Sequence, residues 1–219
     1  MKTMFYHSRP FLIAELLAFT LALPVLLWLF LPARWILPVL WVIALVCHVG
    51  ARRIDPSHRT GGWNWAAVTR ANMVPILWRF ALCAGLIFAA TVIFKPEMLF
   101  GFIHEKPQLW AIVMVVYPLV SVITQEIVYR RYMFARFGGL LSPRWLIIMS
   151  GIAFGTAHVV FDNWVAPALC VIGGVIFSHT YHKTRSLWLV SIEHALYGNF
   201  LFTVGLGKYF YHGVVGAPH

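Results

Sequence analysis

The stretch Gln125-Glu126-Ile127-Val128-Tyr129-Arg130-Arg131 closes a long apolar run, Leu109 to Ile123, and sets a carboxylate and two guanidinium groups at its end. A charge held in lipid is costly unless it is paired or hydrated, so ionisable residues in such a place usually serve function. Glu126 and Arg130 stand four apart, on one helical face, where they can pair. The simplest use of that pair is to neutralise Arg130 at a helix end.

Around this stretch the chain is 61% hydrophobic and 11% charged over 219 residues, with mean hydropathy +0.79. A soluble domain of that length would carry about a quarter charged residues. The composition therefore predicts an all-α, polytopic membrane bundle, with residues 1–219 forming a single integral membrane domain. Cys47, Cys83 and Cys170 all lie inside apolar runs, so they read as packing residues; no disulfide framework and no CxxC metal site is visible. A net charge of +10 would suit nucleic acid. The basic residues instead occupy short loops between apolar runs, which predicts a lipid bilayer as partner and no nucleic acid.

Seven spans fit the apolar runs: Phe11–Leu31, Trp35–Val49, Ile76–Phe94, Pro107 to about Arg136, Pro143 to about Phe161, Trp164 to about His182, and Leu187 to about Leu206. The first run is too long for a signal-peptide core and contains Glu15, which should snorkel or pair with a neighbouring span. Arg79, near the start of the third span, should snorkel. Trp63 and Trp65 between Arg53, Arg59 and Arg70 read as an interfacial segment, and Tyr209-Phe210-Tyr211 as an interfacial anchor. Ser142-Pro143, Asp162-Asn163 and Ser186 read as helix starts. Basic residues concentrate at the N-terminus and in alternate loops: Arg52 to Arg70, Arg130 to Arg144, and Lys183 with Arg185. That alternation predicts a cytoplasmic N-terminus and an external C-terminus.

Two further spans carry polar groups, Phe154-Gly155-Thr156-Ala157-His158 in the fifth and Glu193-His194-Ala195-Leu196-Tyr197-Gly198-Asn199 in the seventh. At ~1.5 Å per residue, Glu126 and His158 differ in depth by roughly 6 Å, and His194 lies ~14 Å from its cytoplasmic turn. All three can then face one mid-membrane cavity. Gly151, Gly155, Gly173 and Gly174 offer small surfaces for close helix packing. No HExxH site and no GxSxG-like serine is present, and the two aspartates, Asp55 and Asp162, lie in loops. A glutamate with two histidines remains, suited either to acid–base activation of water or to ligating zinc.

The set QExxxR (Gln125, Glu126, Arg130), FxxxH (Phe154, His158) and a third-motif histidine (His194) resembles the CPBP family, the CAAX-protease and bacteriocin-processing glutamate intramembrane proteases. The resemblance covers about Trp110 to Leu206, within a core spanning residues 107–206 and the last four spans. It implies an endopeptidase of a prokaryotic cytoplasmic membrane, acting on a membrane-associated protein or peptide without cofactor or metal. Glu126 would be the general base and His158 would hold and polarise the water. His194 and Asn199 would stabilise the oxyanion, with Arg130 and Gln125 in support. Two departures stand out. The family pattern is EExxxR, and its first glutamate is here Gln125. The third motif is HxxxN, and position four after His194 is Gly198, the asparagine following at 199. These departures fit either a variant active site or an inactive member kept as a binding, scaffold or immunity-type protein.

Overall fold

The computed structural model describes residues 8–55 and 62–210. Lys2, Arg59 and Tyr211, which entered the loop and anchor readings, lie outside the described residues. Among the described residues the chain is helical, with no strand. Six helices are long and apolar enough to cross a membrane: α1 (Arg9–Phe30), α2 (Ala33–Ile54), α3 (Arg70–Phe94), α4 (Pro107–Phe137), α5 (Pro143–Phe161) and α6 (Val165–Thr184). The chain is thus an integral membrane protein. The seventh expected span is a helix of 18 residues, α7 (Leu187–Val204). Its polar positions Glu193, His194 and Asn199 make it less apolar than the other six. They face inward: ten of its residues are buried, which makes α7 the inner helix of the bundle.

The ends of these helices follow the residues that start them. Ser186 Oγ accepts from the Leu189 amide at 3.3 Å, capping α7. Asn163 Oδ1 accepts from the Ala166 amide at 2.9 Å at the start of α6. Ser142 is extended and Pro143 occupies the first turn of α5, where a missing N–H costs nothing. Pro118 interrupts α4, and a wide π-turn runs from Pro118 to Val122. A second π-turn, Ile127–Tyr132, follows Glu126.

The core lies among α4, α5, α6 and α7, around Phe134, Phe137, Phe154, Phe177, Tyr181 and Val190. There α5 and α6 meet backbone to backbone. A Cβ on Gly174 would stand 2.8 Å from Gly151 Cα, and one on Gly151 would stand 2.9 Å from the Val175 amide nitrogen. Larger residues at either place would push the two helices apart. By contrast α2 and α3 turn Trp41, Leu45, Leu82 and Ile93 outward, the surface that lipid covers.

Two intramembrane charges find partners that fix helix to helix. Glu15 of α1 takes Arg136 of α4, with Nη2–Oε2 at 2.6 Å, and the Tyr132 hydroxyl at 2.7 Å. Arg79 does not snorkel. Its Nη2 donates to Glu193 Oε1 at 2.8 Å and to Thr180 Oγ1 at 2.8 Å. The reason is Glu193, fully buried in α7: an unpaired carboxylate there would cost more than drawing a guanidinium inward.

Candidate active site

Glu126 sits on the four-residue α-helical segment Ile123–Glu126 between the two π-turns of α4. The i, i+4 spacing brings Arg130 back over it, with Arg130 Nε 3.2 Å from Glu126 Oε2. Both side chains have no exposed surface. The other carboxylate oxygen, Oε1, is 2.7 Å from His194 Nδ1 on α7. Arg130 is held from three sides. Its Nη2 donates to the Gly174 carbonyl at 3.3 Å, its Cζ lies 4.5 Å from the centre of the Phe154 ring and 5.4 Å from that of Phe177. The His194 ring stacks on Phe177 at 4.7 Å and 22°. Its second nitrogen, Nε2, is 3.1 Å from the Tyr117 hydroxyl. The result is a chain from the buried Arg130, Glu126 and His194 to the half-buried Tyr117.

His158 stands apart from that chain. It lies on the 3-10 turn Ala157–Phe161 that ends α5. Its Nδ1–H donates to the Phe154 carbonyl at 2.7 Å. That bond leaves Nε2 as the lone-pair nitrogen, since a neutral imidazole carries one N–H. The Phe154 ring touches both imidazoles. His158 lies 4.7 Å from it, and His194 meets it edge-on at 5.3 Å.

His158 and Gln125 both line a cavity of about 80 Å³, whose other walls come from α1, α2, Val128 and Tyr129 of α4, and the end of α5. It adjoins a wider mouth of about 230 Å³ beside Trp28, Ala33 and Asp162. Gln125 Nε2 donates to Ser121 Oγ at 2.9 Å, while its Oε1 is buried with no hydrogen-bond partner. Glu126, one residue on, is fully buried, its carboxylate engaged by His194 and Arg130. The sequence expectation of Glu126, His158 and His194 around one cavity thus resolves into two layers: Glu126 with His194 inside, Gln125 with His158 on the groove. Among the described residues no three His, Cys, Asp or Glu side chains converge as a metal-binding set.

Asn199 has a different occupation from the oxyanion role expected of it. Its Nδ2 donates to the Met114 carbonyl at 3.1 Å. Met114 is four residues before Pro118, which has no N–H to give it. The Asn199 amide therefore serves a backbone acceptor that the proline leaves unserved. Tyr117, Glu193 and Arg79 make contacts around the site that the motifs do not mark. Glu193 had a signal, as an ionisable residue in the middle of a span. Tyr117 had none, because a tyrosine in an apolar run is ordinary.

No curated protein and no solved structure matches the chain. Residues 106–200, from the start of α4 to Phe200 in α7, match the model of the type II CAAX prenyl endopeptidase Rce1-like family, the same kind of protein that the motifs resemble.

Proposed function

We propose that the chain is an intramembrane endopeptidase that hydrolyses a peptide bond in a membrane-associated protein or peptide. The observation that carries this reading is the buried Glu126–His194 pair at 2.7 Å, on two helices of the segment that matches the CAAX endopeptidases. Water is held at His158 Nε2 in the groove. Its oxygen adds to the substrate carbonyl carbon, and its proton passes to Glu126 as general base and then to the leaving nitrogen. For that transfer the Glu126 carboxylate must turn from the inner layer toward the groove, releasing the Arg130 contact at 3.2 Å, the longer of its two. Gln125, on the groove wall, keeps an N–H that can donate to the oxyanion. His194 and Arg130 hold the carboxylate in place. The side chains supply the chemistry, so cleavage is metal-independent.

The test starts from a deletion strain. Membrane polypeptides that accumulate uncleaved there are identified by their missing new termini, and the purified protein is then given the same polypeptide. Cleavage at the same bond, unaffected by exhaustive chelation, is expected. Activity that is lost with chelator and restored by zinc would sink the metal-free mechanism. The alternating basic loops support a cytoplasmic N-terminus. A reporter phosphatase fused after His219 should then be active and one fused after Arg70 inactive; the reverse pair overturns the orientation.

A second reading has its own observation. The groove itself holds an amide, Gln125, and an imidazole, His158, but no carboxylate side chain beside them. On that reading the groove binds an apolar segment of a partner without cutting it, and the protein is a scaffold or protector.

A further inference from the structure

Position 198 and Tyr117 are fitted to each other. A Cβ on Gly198 would fall on the Tyr117 hydroxyl and stand within 2.6 Å of its Cζ. No side chain other than hydrogen is therefore compatible with the tyrosine where it is. The third motif of the family that the segment resembles places an asparagine at this position. Here the asparagine is displaced to 199 and bound to the Met114 carbonyl. The space beside His194 that an amide at 198 would use is filled by a phenol from another helix.

The hydrogen-bond roles follow from the charges. Glu126 and Arg130 already form a balanced pair, so a neutral His194 adds no uncompensated charge to the interior. A carboxylate only accepts, so Nδ1 carries the imidazole proton and donates to Glu126 Oε1 at 2.7 Å. Nε2 is then an acceptor, and the Tyr117 O–H, 3.1 Å away, donates to it. Without that donor Nε2 would be an unserved lone pair on a ring packed against Phe154 and Phe177, and the ring would lose the contact that sets its angle to Glu126. Tyr117 has the rigidity for this. It stands in α4 immediately before Pro118 and packs edge-on against Phe202 at 5.2 Å.

We propose that Tyr117 and Gly198 together replace the third motif's asparagine, with Tyr117 as a positioning residue that holds His194 against Glu126. The proposal rests on the reading of Glu126 and His194 as the working pair, but its test does not depend on cleavage. The full chain, labelled with ¹⁵N-histidine, is reconstituted in lipid nanodiscs, and the His194 signals are assigned by their loss in His194→Gln. Wild type is expected to show a protonated Nδ1 and a hydrogen-bonded, unprotonated Nε2. In Tyr117→Phe the Nε2 signal should move to the position of an unbonded lone-pair nitrogen, with turnover reduced about tenfold, the scale of one lost hydrogen bond, and KM unchanged.

The exchange itself is tested by rescue. Tyr117→Ala and Gly198→Asn should each lose the bonded Nε2 signal, the first by deleting the donor and the second by displacing the ring. The double variant Tyr117→Ala/Gly198→Asn should recover it, and turnover with it. An unchanged Nε2 signal in Tyr117→Phe overturns the positioning role. A double variant no better than either single one overturns the exchange. If the signals behave as expected but wild type cleaves nothing, the positioning stands and the endopeptidase reading falls.

Discussion

Glu126→Gln is expected to abolish cleavage and to lower the stability of the folded protein by about 3–5 kcal/mol, the range for breaking one partner of a buried ion pair. The two losses have different origins. The amide can still accept from His194 through its oxygen. Its NH₂ group then faces Arg130 Nε, 3.2 Å from where Oε2 stood, donor against donor, and a guanidinium with no exposed surface is left without its counter-charge. That is the stability term, read by unfolding in lipid. The catalytic term follows because an amide has no lone pair able to take a proton from water, and loss of a general base costs roughly 10²–10⁴ in rate. A second substitution separates them. Glu126→Gln/Arg130→Met removes both charges, and replacing a buried pair by apolar side chains is often close to neutral, so stability should return while cleavage does not. A folded Glu126→Gln protein that cleaves at the native rate would refute the glutamate mechanism outright.

That ion pair was legible before any coordinates, because i, i+4 spacing is a property of the helix alone. So was the array of helices, since six of the seven carry apolar runs long enough to cross lipid. The relation of His158 to Glu126 was not. Depth arithmetic at ~1.5 Å per residue assumes a regular helix. Here α4 contains π-turns on both sides of Glu126, and α5 ends in a 3-10 turn through His158. Each changes the rotation per residue, so two groups at similar depth face different layers. Interhelical pairings were equally hidden. Arg79 with Glu193 and Asn199 with Met114 join helices far apart in sequence, and nothing local distinguishes a guanidinium that snorkels from one that turns inward. The Pro118 vacancy at Met114 was in principle readable, since proline always deprives the carbonyl four residues before it. What the sequence lacked was the identity of the donor that serves it.

Gln125→Glu is expected to move activity in opposite directions under the two readings, which makes it the sharpest single substitution in the chain. Gln125 lies on the groove with His158, and its Oε1 already lacks a partner, so the site for the new carboxylate oxygen is empty of donors except Ser121 Oγ, now 2.9 Å from the amide nitrogen. If Glu126 is the base and the Gln125 amide serves the oxyanion, the substitution replaces a donor by an anion next to developing negative charge. Turnover should then fall roughly 10²–10³-fold, as for removal of an oxyanion donor, and stability should drop because a charge is added to the apolar groove wall while Arg130 is committed to Glu126. If the groove is a binding site that has lost its carboxylate, the same change restores the pattern of adjacent glutamates beside an imidazole whose Nε2 is open to water. Wild type should then be inert toward the accumulating polypeptide and Gln125→Glu should cut it. A product at a single bond in the variant and none in wild type would overturn the endopeptidase reading. An active wild type and an impaired variant would assign the chemistry to Glu126 and leave Gln125 as the donor that the groove requires.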